Sequence, residues 1–251
     1  MRAGRIGRLV LAVLVTCALA AALCWYLLRD TPAPGGTRVE LNVSRLENAP
    51  APTHFDTGQQ AVISSVPGDP GATLVVDDHK LTFAPTQPGE SAAFYGSPDM
   101  EGPITAMGLR WVFKPRTDLS AGAVSLLVAH GSQAFPPALL PPFPLQLVMT
   151  PVNWNLSVKK DVATPPEPIA AGEFRPPLAV DGVTSSEAKV SIDGSVVTLN
   201  LPRGTKRVIN DARVAQWEGN YAAFGLYVNN ALTDSIGGLE KMWATSRKGD
   251  S

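Results

Sequence analysis

From residue 59 onward, apolar and polar residues alternate with a period of two instead of the 3.6 of a helix. The segment 107–113 is the clearest example, because its apolar members fall on one face: Met107, Leu109, Trp111 and Phe113. A strand of this kind packs one face in a core and leaves the other in solvent. The pattern therefore predicts an all-β fold in which antiparallel sheets stack as a sandwich.

Turn residues divide the alternating sequence into short segments. Asp193-Gly194 is the strongest hairpin signal, since both residue types tolerate positive φ, and residues 77–79 form a second one. The segment 123–129 is apolar throughout, which indicates a strand buried on both faces. The predicted strands are 72–76, 80–84, 107–113, 123–129, 144–150, 152–159, 187–192, 195–201, 205–209, 221–229 and 239–245.

The first 29 residues have a different pattern. Residues 9–28 are 20 consecutive uncharged and mostly apolar residues, which as a helix would span the ~30 Å of a bilayer's hydrocarbon core. Three arginines precede this run, and Trp25 and Tyr26 close it. We therefore expect one N-terminal transmembrane helix, a signal anchor with its N-terminus in the cytoplasm and the rest of the chain outside the cell membrane.

Three other interpretations of this segment are open. A cleaved signal peptide would use the small residues at 18–20, although apolar sequence continues beyond them. A lipoprotein needs a small residue before its modified cysteine, whereas Cys24 follows Leu23 and Cys17 follows Thr16. A buried core helix is disfavoured by the preceding arginines. Both cysteines lie inside the apolar run, so the sequence after it has no cysteine for a disulfide, a nucleophile or a metal site.

These patterns predict four parts of the chain. Residues 1–29 are the cytoplasmic tip and anchor, and residues 30–58 form a proline-rich spacer, within which 38–43 could still pair as an edge strand. Residues 59–246 form the sandwich domain, and 247–251 form a tail.

The charge balance excludes one class of partner. Without the three arginines that precede the apolar run, the 21 basic residues fall to 18 against 22 acidic ones. A nucleic-acid-binding protein needs an excess of basic side chains to neutralise phosphates. We therefore expect no nucleic acid among the partners.

The sequence contains no recognisable pattern of catalytic residues. Glycoside hydrolysis needs two converging carboxylates, but no pair of glutamates shares a predicted strand face. The histidines at 54, 79 and 130 are far apart and match no metal-ligand spacing, and the chain contains no G-x-S-x-G nucleophile motif. We therefore predict no catalytic residue and no metal ligand, and we expect no cofactor.

The polar strand faces suggest where a ligand could bind. Sugars stack on aromatic rings and form hydrogen bonds with Asn, Asp and Arg side chains. Trp111 and Trp154 alternate with apolar residues, so we expect both in the core. The apolar loop 136–145 is interpreted as a connector packed on the sheet edge or as a lip for binding. The predicted ligand-binding residues lie on the polar faces: Arg110, Asn153, Asn155, Asn200, Tyr221, Tyr227 and Asn229.

The order of strands and turns resembles the concanavalin A-like lectin/glucanase superfamily, whose members have a laminin-G-like jelly roll. The resemblance rests on GLRWVFKP at 108–115, AVSLLVAHG at 123–131, the hairpin AKVSIDGSVVTLNLPRGTKRVI at 188–209 and WEGNYAAFGLYVNN at 217–230. It implies two stacked antiparallel sheets, one with a concave face that often holds glycan. Relatives often bind calcium, for which Asp69, Asp77 and Asp78 could offer oxygen ligands.

The resemblance also shapes the functional expectation. Glucanases of this superfamily carry an E-x-D-x-x-E strand motif, which this sequence lacks. We therefore expect non-catalytic recognition of a cell-envelope glycan or envelope protein by a membrane-anchored, extracytoplasmic domain. Two alternatives are a glycan hydrolase or lyase with a site of unfamiliar pattern, and a structural or assembly subunit of an envelope complex.

Overall fold

The architecture is taken from a computed structural model, which describes residues 37–65, 73–84, 91–115, 122–131, 145–159, 165–216, 219–228 and 237–248. The expected anchor, 9–28, and the loop residues 136–144 lie outside these ranges. Within them, no helix has the length and apolar character needed to cross a bilayer.

The described residues form two antiparallel sheets. The first has nine strands: β1 (Arg38–Asn42), β2 (Ala49–Pro50), β4 (Leu74–Asp77), β5 (Lys80–Phe83), β7 (Ile104–Phe113), β12 (Ser186–Asp193), β13 (Val196–Leu201), β14 (Thr205–Asn210) and β16 (Gly237–Ser246). Their order across the sheet is β14-β13-β12-β7-β16-β5-β4-β2, and β1 also pairs with β16.

The second sheet has seven strands in the order β11-β10-β9-β8-β15-β6-β3. They are β3 (Val62–Ser65), β6 (Ser91–Gly96), β8 (Ala123–Ala129), β9 (Leu145–Met149), β10 (Asn153–Val158), β11 (Glu167–Glu173) and β15 (Tyr221–Val228). Three short 3-10 turns complete the described elements: Val43–Arg45, Pro202–Gly204 and Val214–Gln216.

The main core lies between the two sheets. Alternate residues of β7 and of β8, such as Leu109 and Leu126, belong to one hydrophobic cluster and are about 1% exposed. Trp111 is fully buried in this cluster and Trp154 is 5% exposed, which confirms the prediction that both are core residues. Full burial of each large apolar side chain contributes about 1.5–3 kcal/mol to stability. The two antiparallel sheets and the core between them confirm the all-β sandwich predicted from the alternation.

The domain begins earlier than the sequence suggested. Strand β1 pairs with β16 along its whole length, and Val39 and Leu41 are buried in the main core. Phe55 is also buried there and packs edge-on against Tyr95, with ring centroids 5.1 Å apart. Residues 38–58 therefore contribute to the sandwich, and the alternative interpretation in which 38–43 pairs as a strand agrees with β1. At the start of β1, Ser246 N donates a hydrogen bond to Thr37 O at 2.9 Å.

Candidate functional site

Each sheet has one face in the core and one facing away from it, and the predicted ligand-binding residues divide between the two outward faces. Arg110 and Asn200 lie on the outward face of the nine-stranded sheet. Asn153, Asn155, Tyr221 and Tyr227 lie on that of the seven-stranded sheet, and Asn229 lies outside the described residues. The structure therefore does not bring these residues into one site.

The centre of the seven-stranded sheet's outward face is apolar. A second hydrophobic cluster occupies it, made of Ala92, Phe94, Leu127, Ala129, Tyr221 and Ala223. The burial of β8 on both faces follows from this cluster and confirms the prediction for 123–129.

Tyr221 belongs to this cluster, so the expectation that its side chain faces solvent is wrong. It is 0% exposed, and its ring and hydroxyl lie against Gly96, where a side chain would collide with them. Burial, with the nearby charge of Asp99, raises the pKa of the Tyr221 hydroxyl well above its ordinary value. The small neighbours on adjacent strands allow the phenol to lie flat along the sheet.

Tyr227 is half-buried beside the same cluster. Its hydroxyl accepts a hydrogen bond from Gln146 Nε2 at 2.5 Å, and its ring packs edge-on against Phe94 at 5.6 Å. Burial raises the pKa of Tyr227 to about 12, against the opposing effects of the nearby Ser125 hydroxyl and of the hydrogen bond from Gln146. Its polar group is therefore already engaged within the protein.

The two asparagines of β10 lie at the polar margin of this face. Asn153 Oδ1 accepts a hydrogen bond from Thr150 Oγ1 at 2.8 Å, so its amide stabilises the turn before the strand. Asn155 is exposed and stands two residues further along. These residues lie on a different part of the sheet from the buried tyrosines.

The outward face of the nine-stranded sheet is polar by contrast. The register places one row of residues side by side across six strands: Lys206, Asn200, Lys189, Gly108, Trp243 and Glu40. Residues in register on neighbouring strands have Cβ atoms about 5 Å apart. This row therefore brings charged, amide and aromatic groups together on one surface.

Trp243 is the aromatic member of that row. Its indole lies over Gly108, where an ideal Cβ would come within 2.6 Å of the ring. The Arg38 guanidinium stands 4.8 Å and the Lys189 ammonium 5.3 Å from its ring centroid, which is the geometry of cation–π contacts. Trp243 is only 5% exposed, so the indole supports the polar layer and offers little open surface.

Glu40 neutralises two cations next to this indole. Its carboxylate is 2.7 Å from Arg38 Nη2 and 2.8 Å from Lys241 Nζ. Partial burial alone would raise the pKa of Glu40, but the hydrogen bonds from Lys241 and Arg38 outweigh it and lower the pKa. Glu40 is therefore held in its ionised form.

Arg110 connects the sheet to the segment that precedes β12. Its Nε lies 3.0 Å from Glu240 Oε2, and its Nη2 donates a hydrogen bond to Ser185 Oγ at 3.2 Å. Ser185 Oγ in turn donates to Glu240 Oε2 at 2.6 Å. This triangle fixes the segment against the edge of a pocket.

The pocket has a volume of about 440 Å³ and lies between the segment 178–186, strands β12 and β13, and the turn after β13. Its lining combines hydroxyl, carboxylate, ammonium and amide groups from Ser186, Glu187, Lys189 and Asn200. On the opposite wall, the Arg203 guanidinium donates hydrogen bonds to Pro176 O and, at 2.7 Å, to Pro177 O. Arg203 adopts a φ of 64°, and these bonds hold it in place.

A short turn leads into the pocket lining at Thr184. Asp181 Oδ2 accepts a hydrogen bond from Thr184 Oγ1 at 2.6 Å, and its Oδ1 accepts from the backbone of Val183 and Thr184. These hydrogen bonds lower the pKa of Asp181 to about 2, and the bond from the Thr184 hydroxyl has the largest effect. The turn is thus locked by an ionised carboxylate.

Among the residues that the structure describes, no three His, Cys, Asp or Glu side chains are grouped so that they could hold a metal ion. Four described carboxyl groups have a lowered pKa: Glu40, Asp181, Asp211 and Asp78, whose hydrogen bond with Lys80 is the largest cause of its shift. Of the residues considered for calcium, Asp77 lies 3.9 Å from Lys114, Asp78 lies 2.8 Å from Lys80, and Asp69 is outside the described ranges.

Three solved structures share the sandwich. The CBM2 module of the Lactobacillus casei BL23 phage J-1 evolved Dit has a TM-score of 0.54 and 8% identity, covering 86% of this chain and 99% of that chain. The Emp47p carbohydrate recognition domain has a TM-score of 0.54 and 11% identity over 86% of this chain and 99% of that one. LamAcat from Zobellia galactanivorans has a TM-score of 0.55 and 8% identity over 87% and 98%.

The chain shares the antiparallel β-sandwich fold of these three structures. No protein-family model matches the sequence, and no curated protein sequence matches it. At 8–11% identity the likeness is one of fold alone.

Sequence reasoning missed most of the pocket and of the residue row beside it. Glu187, Lys189 and Trp243 were within predicted strands but were not selected as ligand-facing residues. The alternation within 239–245 contained a signal for Trp243, because Lys241 and Thr245 share its parity and mark a polar face. The segment 178–186, by contrast, has no periodic pattern that would place it beside β12.

Proposed function

We propose that this chain is a non-catalytic glycan-binding protein whose ligand occupies the pocket between the segment 178–186 and strands β12 and β13. One observation carries the proposal: a pocket of about 440 Å³ with both polar and apolar lining lies beside strands β12 and β13 of a sandwich with a lectin-like fold. Small-molecule pockets commonly have volumes of about 300–1,000 Å³.

The chemistry of the lining suits a ligand rich in hydroxyl groups. Asn200 offers an amide that both donates and accepts, Glu187 accepts, and Lys189 donates. The aliphatic side chains of Leu178 and Leu201 provide apolar wall beside them. A site that matches each hydroxyl with a partner discriminates strongly against ligands that lack one.

The fold gives independent support. One solved structure of the same fold is a carbohydrate recognition domain, that of Emp47p. The outward face of the seven-stranded sheet is a poorer candidate, because the aromatic residues at its centre are buried and Tyr227 already bonds to Gln146.

The proposal includes a location at the cell membrane, with the sandwich on the extracytoplasmic side. Its support is the uncharged run 9–28 behind three arginines. Extraction of membranes at alkaline pH should leave the chain in the pellet, and protease added outside intact cells should degrade the sandwich. Release of a shortened chain into the soluble fraction would contradict the anchor.

Binding should be measured with the full chain, purified in a non-ionic detergent that has no sugar head group, against a panel of envelope polysaccharides. Asn200→Ala should weaken binding about 3- to 10-fold, the effect of losing one neutral hydrogen bond. Asn155→Ala is the matched control, because Asn155 is an exposed asparagine on the other sheet and its loss should leave the affinity unchanged.

Two outcomes would contradict the proposal. If the unmutated chain binds none of the polysaccharides, glycan recognition is wrong. If Asn155→Ala weakens binding and Asn200→Ala does not, the ligand lies on the seven-stranded sheet instead.

A further inference from the structure

We infer that the outer edge of strand β14 binds an extended acidic segment of another protein, which adds to the nine-stranded sheet as a further antiparallel strand. This partner is distinct from the glycan proposed above, and none of the residues Thr205–Asn210 lines the pocket. Three features of this β14 edge point to it: free backbone groups, two cations without an acidic partner, and an exposed valine.

The backbone of β14 presents hydrogen-bonding groups to the edge of the sheet. Among the described strands, β14 pairs with β13 alone. At the end of this pair, Asp211 N donates a hydrogen bond to Ser195 O at 3.0 Å. Bonded and non-bonded positions alternate along an antiparallel pair, so the odd-numbered residues of β14 direct their backbone groups to β13. The backbone N–H and C=O groups that point to the free edge are those of Lys206, Val208 and Asn210.

The β14 edge is open, whereas the outer edge of β1 is closed by its own chain. Asp56 N donates a hydrogen bond to Glu40 O at 2.8 Å, and Asn42 N donates one to Asp56 Oδ2 at 2.8 Å. Within the described ranges, no such bond reaches the outward backbone groups of β14. A strand edge of this kind is a template for pairing with another chain.

The other three sheet ends are poorer templates. Strand β2 has two residues and one of them is Pro50, strand β11 contains Pro168, and strand β3 has four residues. Proline has no N–H to donate to a ladder. Strand β14 has six residues and no proline, so it is the terminal strand best able to accept a partner.

The side chains of β14 determine which partner fits. Lys206 and Arg207 are both exposed, and neither forms an ion pair with a described carboxylate. The next acid along the chain, Asp211, is already 2.7 Å from Arg213. Val208 is 64% exposed. Because opposite charges and β-branched side chains stabilise cross-strand pairs, the complementary strand has an apolar residue followed by two acidic residues.

A second copy of this chain is a poorer occupant than an acidic strand. Pairing two β14 edges would gather the lysines and arginines of both copies in one short ladder, where like charges are unfavourable. The acidic edge strand β11 does not offer free carboxylates, since Glu167 lies 3.5 Å from Arg213 and Glu173 lies 2.6 Å from Arg175. The partner is therefore a segment of another protein.

The probe is the synthetic peptide Ac-Thr-Thr-Val-Glu-Glu-Thr-NH₂. In the antiparallel register its valine stands opposite Val208 and its glutamates stand opposite Arg207 and Lys206. Fluorescence anisotropy with the full chain in detergent should give a dissociation constant below about 1 mM. Replacing both glutamates of the peptide by glutamine should weaken binding about fivefold, and this difference should shrink as salt rises from about 50 to about 500 mM.

Methylation of single peptide nitrogens tests strand addition without altering the protein. The peptide's valine N–H would bond to the β14 edge, so its methylation should weaken binding at least about tenfold. The N–H of the first glutamate points away from β14 in this register. Its methylation is the matched control and should change the affinity by less than about twofold.

Protein variants locate the site. Val208→Pro removes an N–H that points to the free edge and leaves the bonds to β13 in place, a position where edge strands accept proline. It should abolish peptide binding, while Val208→Thr should retain it. Arg207→Gln should weaken binding about two- to threefold, and Arg45→Gln, which removes an exposed charge in the 3-10 turn after β1, should have no effect. The methylated peptides decide the question even where Val208→Pro fails to fold.

Four results would overturn the inference. They are equal binding of the two methylated peptides, equal binding of the glutamate and glutamine peptides, dimers of the chain that Val208→Pro dissociates in sedimentation velocity, and binding to phosphatidylglycerol vesicles without binding to the peptide. The third would assign the edge to a second copy, and the fourth would assign its charge to a lipid surface. All four leave glycan binding to be decided separately by Asn200→Ala.

Discussion

The packing of Trp243 over Gly108 predicts a specific coupling between these two positions. Substituting Gly108→Ala places a methyl group where an ideal Cβ lies 2.6 Å from the indole, whereas an ordinary contact is at least 3.4 Å. The indole must therefore move by about 0.8 Å, away from a position in which Arg38 and Lys189 cover it.

The magnitude follows from two opposing effects. Overpacking of this kind costs about 1–3 kcal/mol, and an alanine at an unstrained glycine position recovers about 0.4–1 kcal/mol by restricting the unfolded chain. We expect Gly108→Ala to lower the free energy of unfolding by about 1–2 kcal/mol. In a Trp243→Ala background the steric conflict is absent, so the same substitution should stabilise the protein by about 0.4–1 kcal/mol.

The assay is a double-mutant cycle measured by urea unfolding of the full chain. Far-UV circular dichroism is the suitable signal, because half of the cycle lacks one tryptophan. Ser191→Ala is a control on the same outward face, with an expected change within about 0.5 kcal/mol. The reasoning is refuted if Gly108→Ala costs the same with and without the indole.

Three further predictions concern ionisable groups. Glu240→Gln should lower the free energy of unfolding by about 0.5–1 kcal/mol, since it weakens the contact with the exposed Arg110, and a thermal melt that matches the wild type would contradict this. The Tyr227 pKa of about 12, against 10 when unfolded, means that stability falls as pH rises from 10 to 12; Tyr227→Phe should lose less in alkaline urea titrations. The Asp181 pKa of about 2, against 3.8, means that its stabilising effect is present above pH 3.8 and is lost as pH falls through about 2. The difference between wild type and Asp181→Asn should therefore shrink over that range, and a constant difference would rule out the carboxylate as its source.

Strands whose pattern is locally strong were predictable from the sequence. The apolar run 123–129 coincides with β8, and the Asp193-Gly194 signal lies at the hairpin between β12 and β13. The observed loop is Gly194-Ser195, with Gly194 at a φ of 55°, because Asp193 still pairs with Val196. Local turn chemistry therefore predicted the hairpin within one residue.

Strands that depend on their neighbours were missed. The sequence of β6, SAAFYG, is small or apolar on both faces, and β11 contains a proline within EPIAAGE. Neither alternates clearly, and each forms because an adjacent strand supplies its hydrogen bonds. For β1 the sequence left two interpretations open, a spacer or an edge strand, and the structure shows a strand whose apolar residues fill the core beside β16.

The candidate site was only partly predictable for a related reason. Alternation shows that Tyr221 and Asn200 lie on faces opposite their core neighbours, but it does not show whether such a face is covered. Tyr221 is buried and Asn200 is exposed. The row formed by Lys189, Asn200 and Lys206 depends on the pairing of three strands, which follows from the fold and not from any one segment.

The pairing of β1 with β16 has a mechanical consequence. Because the strands are antiparallel and Thr37 bonds to Ser246, the start of one and the end of the other lie side by side. A force that pulls residues 37 and 246 apart would separate the paired residues of β1 and β16 one pair at a time, from Arg38–Thr245 to Asn42–Lys241. Such a load meets few hydrogen bonds at once, so the first strand would detach at a much lower force than a strand pulled along its length.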